Sequence, residues 1–393
     1  MEDYWSNPVI QSFIKENLNR NVSELALRYK QVQGVPIQII IRQIQGKQKA
    51  KSKLPLWYTT DGILFPPTLN LEQSSSQITA GYKTGILKGK TLADLTGGFG
   101  VDATAFSKAF EKVFYVERNE ELLEVVRHNF DVFHIRNVEV FQGQAELFLS
   151  QFSKVDCIYV DPARRDNANR KVFNLEDCEP DIVRLLPILL SKSDVILIKT
   201  SPLLDIKLAL KALKYVSEVH VVAVENECKE VLYLIHKEAS ESPDIVTINF
   251  TSSNQEFAFN LENEDNVNAS LSLPQKYIYE PNAAVLKAGA FNSISAKYNL
   301  FKLHNNSHLY TNDVLTEDFP GRKFEIKSIE KYDKKSVGKA LNTDKANITA
   351  RNFPDSVEKI RKKLNLKEGG DDYLFATTDL HNKLIIIIAR KIE

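Results

Sequence analysis

The sequence predicts an α/β protein: a doubly wound, mostly parallel seven-stranded sheet ending in an antiparallel hairpin, with a helical unit before it and α+β structure after it. Three observations predict it. The stretch Thr91–Asp102, T-L-A-D-L-T-G-G-F-G-V-D, reads as a strand that breaks into Gly97, Gly98 and Gly100 and re-emerges as a helix. From Leu92 onward strand-like and helix-like segments alternate, the pattern of a sheet covered on both faces. Two apolar runs, 219–224 and 231–236, are separated only by Glu225–Glu230, too short for a crossover helix, so they pair antiparallel.

Composition bounds the rest. A chain of 393 residues suggests about two to four units. With 43% hydrophobic and 26% charged residues it can bury sizeable cores. Lys plus Arg and Asp plus Glu both total 51, so overall charge is uninformative, but its distribution is not. From Gly321 on there are 17 Lys/Arg against 11 Asp/Glu, a basic tail on an otherwise acidic chain, which suggests a polyanion partner. Cys157, Cys178 and Cys228 are far apart and have no ligand-like neighbours, so a reducing compartment and no metal site are expected. The N-terminus lacks a signal-peptide pattern, and no stretch approaches the roughly 18 apolar residues of a membrane span. The cytoplasm is the expected location.

Along the chain, Asn7-Pro8 opens a first helix and Ser23 caps a second. Pro36–Ile41 suits either helix or strand, and Arg42–Lys53 holds five positive residues and no acid, read as a solvated helix face. Leu71–Lys83, L-E-Q-S-S-S-Q-I-T-A-G-Y-K, reads as one capped helix leading into the first strand. Strands are expected at 91–95, 113–116, 138–141, 156–160 and 194–198 before the hairpin, with helices including 120–130 and 181–190. Beyond Lys237, 245–250 and 257–261 suit a strand meander and 283–296 a helix. The last unit has a strand at 324–329, a helix at 336–341, the run 347–350, a basic helix at 355–364 and a closing hairpin of 373–377 with 384–389.

Chemistry concentrates at the strand ends. Backbone N–H groups at Gly97, Gly98 and Gly100 form a nucleotide-shaped site at a helix N-terminus. Glu117 ends the second strand 17 residues beyond Gly100, where a carboxylate accepts the two hydroxyls of a ribose. Asp94, just before the glycines, suits the cationic end of S-adenosylmethionine (SAM), and a nicotinamide cofactor gives no reason for it. Gln144, after Gly143, is placed to meet an adenine edge. The fourth strand delivers Asp161-Pro162-Ala163-Arg164-Arg165 to the carboxyl edge of the sheet, beside the methyl donor.

Together these stretches resemble class I SAM-dependent methyltransferases with their Rossmann-like sheet. The fuller resemblance is to a bacterial group of these enzymes with a C-terminal THUMP-like domain. It is carried by L-E-Q-S-S-S-Q-I-T-A-G-Y-K, D-L-T-G-G-F-G-V-D, D-P-A-R-R, V-F-N-L-E-D-C-E-P-D, Y-E-P-N-A-A-V-L-K-A-G and R-N-F-P-D-S-V-E-K-I-R-K-K-L. The resemblance implies SAM as cofactor, with Gln73 and Ala145 joining Asp94, Gly97, Gly98, Gly100, Glu117, Gln144 and Asp161 as contacts. It implies an RNA substrate, tRNA or rRNA, with Arg351, Lys359, Arg361, Lys362 and Lys363 as candidate RNA contacts. The domains it implies are a helical unit at 1–70, the methyltransferase at 71–237, an α+β (ferredoxin-like) linker domain at 238–320 and the THUMP-like domain at 321–393.

Departures narrow the reaction. D-P-A-R lacks the second proline and the aromatic of base-amine methyltransferases. It is closer to the D-P-P-R of uracil C5 enzymes, which need a cysteine after the fifth strand, where this chain has Lys199-Thr200-Ser201-Pro202. What remains is in-line attack by a nitrogen or oxygen, with Asp161, Pro162 and Arg164 as catalytic candidates and Arg164 and Arg165 as anion clamps or plain surface charge. The alternative reading is an RNA-binding protein with a vestigial methyltransferase core.

Overall fold

The computed structural model describes residues 5, 7–164, 175–239 and 242–392. These form two compact units: residues up to 215 with 233–239, and 216–232 with 242 onward.

The first unit opens with α1 (Pro8–Glu16) and α2 (Val22–Arg28), capped by the side chains of Asn7 and Asn21. Ser23, expected as a cap, is instead the residue whose N–H the Asn21 cap receives, at 2.9 Å. A two-residue ladder of β1 (Gln31–Val32) with β2 (Val35–Pro36) precedes α3 (Ile37–Lys53). The ambiguous 36–41 run is therefore helical from Ile37 on, with Pro36 closing β2, because Ile37, Ile40 and Ile44 fall on one buried face. Its basic stretch is not wholly solvated: Lys49 pairs with Glu72, and Lys53 donates to the carbonyls of Leu71 and Glu72. After α4 (Pro55–Thr59), the expected single helix over 71–83 is two, α5 (Thr68–Gln73) and α6 (Gln77–Ile86). The chain turns at 74–76 because Ser76 and Thr79 close a capping box that starts a new helix.

The alternating core follows: β3 (Thr91–Asp94), α7 (Val101–Phe106), β4 (Lys112–Glu117), α8 (Glu120–Val132), β5 (Val138–Gln142), α9 (Ala145–Gln151) and β6 (Cys157–Val160). Next come the short β7 (Ala163–Arg164) and β8 (Cys178–Glu179), then α10 (Ile182–Lys192), β9 (Val195–Thr200) and α11 (Ile206–Ala212). Strands β5, β4, β3, β6 and β9 pair parallel in that order. The winding reverses between β3 and β6, so the glycine loop and Asp161 emerge at the switch point where α/β sheets bind ligands.

The hairpin strands are longer than the sequence suggests, β10 (Val216–Val224) and β11 (Glu227–His236), because the turn needs only Glu225 and Asn226, both at positive φ. The large sheet has nine strands, ordered β13-β12-β10-β11-β9-β6-β3-β4-β5. The two beyond the expected seven come from the 238–320 span: β12 (Asp244–Phe250) runs parallel to β10, and β13 (Gln255–Asn260) antiparallel to β12.

After α12 (Leu261–Asn266), a separate seven-stranded sheet occupies the second unit. It begins with β14 (Tyr277–Pro281), α13 (Ala283–Ala288), α14 (Ser293–Lys297), β15 (Phe301–Lys302) and β16 (Tyr310–Asn312). It continues with β17 (Gly321–Lys331), α15 (Lys334–Ala340), β18 (Asn347–Arg351), α16 (Val357–Leu364), β19 (Asp372–Thr378) and β20 (Leu384–Lys391), in the order β15-β16-β14-β17-β20-β19-β18. The helix expected over 283–296 is broken in two by Gly289, whose φ of 76° caps α13 in the left-handed region. Among the described residues no helix is long and apolar enough to cross a membrane.

Candidate active site

The loop from β3 to α7 is shaped by what its glycines permit. A Cβ on Gly97 would lie 2.1 Å from the Tyr115 ring, and Gly98 and Gly100 adopt φ of 56° and 78°. Gly97 N–H donates to Val116 O at 2.8 Å, and the Tyr115 hydroxyl donates to Gly98 O at 2.6 Å. Gly98 is not crowded: a Cβ there would meet Thr96 O at an ordinary contact distance of 3.7 Å. Glu117 meets this loop directly: its carboxylate accepts Gly98 N–H at 2.9 Å and Asn119 N–H at 2.7 Å. Its carbonyl accepts Gly143 N–H at 3.0 Å, which places Gln144, the exposed residue before α9, and buried Ala145 beside the same strand end.

Asp94 is fully buried. One carboxyl oxygen accepts Thr96 N–H at 3.1 Å, and the other finds no hydrogen-bond partner among the described residues. Burial first, then the nearby charges of Asp102, Asp161 and Glu117, push its carboxyl well above the ordinary range against the opposing Thr96 bond. Asp161 follows β6, and its N–H donates to the Thr96 hydroxyl at 2.6 Å, tying the two loops together. Its carboxylate pairs with Lys199 at the end of β9. The next residue, Pro162, is buried, and Ala163 and Arg164 form β7, which pairs with β8. The Arg164 side chain and all of Arg165 lie outside the described residues. Gln73 ends α5 on the surface, two residues before Ser75.

The sequence reading missed the cations of this site. Lys83, on the inner face of α6, has no exposed surface and pairs with Asp102 of α7 at 3.1 Å. Ser75 and Tyr159 donate to the same carboxylate at 2.7 and 3.0 Å, and Lys83 donates to Ser75 at 3.1 Å. Burial would raise the Asp102 carboxyl, but Lys83, then Lys199, and the bonds from Ser75 and Lys83 outweigh it and hold it low. A signal for Lys83 was present: it shares a helix face with buried Thr79 and Ala80. Lys199 likewise continues an apolar strand at the level of Asp161.

The five proposed RNA contacts are in the second unit. Lys359, Lys362 and Lys363 of α16 are exposed, with Lys363 3.6 Å from the Tyr332 ring centroid. Arg361 pairs with Glu368 at 3.3 Å. Arg351 is held at 3.1 Å by buried Glu280, which also binds Arg322.

Two stability predictions follow from the buried charges. Because the Asp94 carboxyl is raised above 3.8 on folding, the folded protein binds more protons than the unfolded chain, and stability falls as pH rises through that window. Asp94→Asn should flatten this fall and raise the ligand-free melting temperature at pH 7.5 by about 2–4 °C per kcal/mol gained, measured by calorimetry. Lys83→Met removes the ion-pair partner of buried Asp102 and should cost about 3–5 kcal/mol in urea unfolding, with most recovered in Lys83→Met/Asp102→Asn.

Comparison with known proteins adds identity to this geometry. Residues 277–320 match the model of a ferredoxin-like domain, and 321–391 match a THUMP domain-like model. An uncharacterized SAM-dependent methyltransferase of Mycobacterium tuberculosis is 21% identical over 300 residues, covering 76% of this chain and 80% of that protein. The same match is found in two strains. A crystal structure of a candidate methyltransferase from Porphyromonas gingivalis W83 superposes with a TM-score of 0.88 at 33% identity, covering 98% of each chain. With its glycine loop, strand-end carboxylates and C-terminal matches, the chain belongs to the class I SAM-dependent methyltransferases of the bacterial group with a C-terminal THUMP-like domain.

Proposed function

We propose that this methyltransferase acts on a nitrogen or oxygen of RNA, tRNA or rRNA, by in-line transfer in the cytoplasm. The observation that carries the acceptor chemistry is the Asp161–Lys199 pair at the carboxyl edge of β6 and β9. A lysine stands where a C5 route needs a cysteine nucleophile, and Asp161, with one oxygen on Lys199, keeps the other to accept an N–H or O–H. SAM brings a methyl group already activated by its sulfonium, so positioning supplies most of the rate. The RNA half of the reading is supported by the THUMP domain-like match and by the exposed lysines of α16.

Within this reading, the loop of Gly97, Gly98 and Gly100 with Gln73, Gln144 and Ala145 surrounds the nucleoside. Glu117 receives its hydroxyls, and its two oxygens keep lone pairs beyond the two backbone bonds they hold. The unpartnered oxygen of Asp94 faces the cationic part of SAM, which restores its ionised form. Pro162 and Arg164 flank the acceptor, and Arg351, Lys359, Arg361, Lys362 and Lys363 contact RNA. The division into 1–70, 71–237, 238–320 and 321–393 is part of the same proposal.

Binding and transfer separate these roles. Glu117→Ala and Asp94→Asn should each weaken SAM binding about ten- to a hundredfold in titration calorimetry, and equal binding by wild type and Glu117→Ala removes the ribose assignment. Asp161→Asn should keep affinity for S-adenosylhomocysteine (SAH) within about twofold while transfer of labelled methyl to total RNA from a deletion strain drops about a hundredfold. Absence of incorporation by wild type excludes the RNA substrate, and mass spectrometry of nucleosides from that strain identifies the modified base.

A further inference from the structure

Phe99 sits between the two left-handed glycines of the cofactor loop and is 3% exposed. Between Gly97 and Gly100 it has the one side chain, so it is the loop's own anchor in the core. Its ring packs on aromatics from the N-terminal part of the chain: Trp57 of α4 at 4.7 Å between centroids, and Phe65 at 6.2 Å. Both are fixed in turn. Trp57 meets Phe133 edge-on at 4.9 Å. Phe65 is clamped through its main chain by the amide of Gln43, which accepts its N–H at 2.8 Å and donates to its carbonyl at 2.9 Å. Asn129 of α8 holds Leu64 in the same way, at 2.9 Å on both sides. Gly46 of α3 allows this closeness, because a Cβ there would lie 2.3 Å from the Phe65 Cβ.

We propose that Trp57 and Phe65 are positioning residues for the cofactor, and that the segment from Gln43 to Phe65, rather than α1 and α2, is thereby a structural part of the SAM site. The argument rests on freedom and its restriction. Two glycines at positive φ give the loop many conformations in the unrestrained chain. The bond from Gly100 N–H to Gly97 O at 2.9 Å closes the turn and Glu117 holds Gly98 N–H, so hydrogen bonds hold the loop's main chain but nothing polar holds the Phe99 ring. The aromatic seat supplies that hold, keeping the Phe99 ring in the core on the side of Trp57 and Phe65. Contact passes from α3 through Gln43 and Phe65, and from α4 through Trp57, to the backbone that faces the nucleoside.

The chain has two tryptophans, Trp5 and Trp57, so Trp5→Phe leaves one emitter placed on this seat. In that full-length variant, saturating SAH should change the emission of Trp57. In titration calorimetry, Trp57→Leu should weaken SAH about three- to tenfold, and Trp57→Phe, which keeps an aromatic face, should stay within about twofold of wild type. Leu25→Ala, a buried change in the separate core of α1–α3, is the control for lost stability and should leave SAH affinity unchanged. Phe99→Leu carries the same expectation as Trp57→Leu should the latter not fold. The proposal is overturned if Trp57→Leu or Phe99→Leu binds SAH as wild type does, if Leu25→Ala weakens binding equally, or if Trp57 emission ignores bound SAH. Failure of wild type itself to bind SAH would strike the cofactor assignment instead.

Discussion

Charge balance at the strand ends is the constraint on which the site depends. Asp94, Asp102, Glu117 and Asp161 lie close enough that the carboxyl of Asp94 feels the other three. Lys83 and Lys199 face this group, the first against Asp102 and the second against Asp161, and both act on Asp102. With two lysines for four carboxylates, the fully buried carboxyl of Asp94 is left without a cation and is pushed toward its neutral form until something cationic arrives. One of its oxygens has no hydrogen-bond partner among the described residues. A protein that needed only stability would have an amide or an apolar group there, so the arrangement trades stability for a cofactor that is itself positively charged.

The features legible in the sequence were those written locally. The glycine turn, the alternation of strands and helices and the carboxylates Glu117 and Asp161 at strand ends each follow from spacing along one stretch. The pairing of Lys83 with Asp102 joins residues 19 apart in sequence on two helices, and Lys199 with Asp161 joins neighbouring strands 38 apart. Such partners become visible only when the sheet brings them together. The parallel addition of β12 to β10 likewise has no local signature, since its alternation equally suits a free meander. The helix breaks at 74–76 and Gly289 were readable in principle, and apolar periodicity running through them concealed both. Arg351 was grouped with the lysines of α16 by charge alone, whereas Glu280 decides where it points.

The ferredoxin-like and THUMP-like matches meet at residue 321, yet the structure joins them in one sheet. Strand β14 of the first pairs with β17 of the second over Tyr277–Pro281. Gly321 makes the junction possible, since a Cβ there would press within 2.2 Å of Glu280 O. Neither region closes its hydrogen-bond ladder alone, so they fold as one layer with a shared core of Ile278, Phe324, Phe375 and Ile387.

Glu280 has a wider effect on that layer. It lies on β14, and Arg351 lies on β18, four places along the strand order, a separation of about 19 Å in a flat sheet. A contact of 3.1 Å between their side chains requires the sheet to coil until distant strands approach one another. The carboxylate at the seam pairs with two guanidinium groups at once, Arg322 and Arg351, and offsets half of their charge. One acidic side chain thus acts as a hoop for the coiled layer, tying β14 to both β17 and β18.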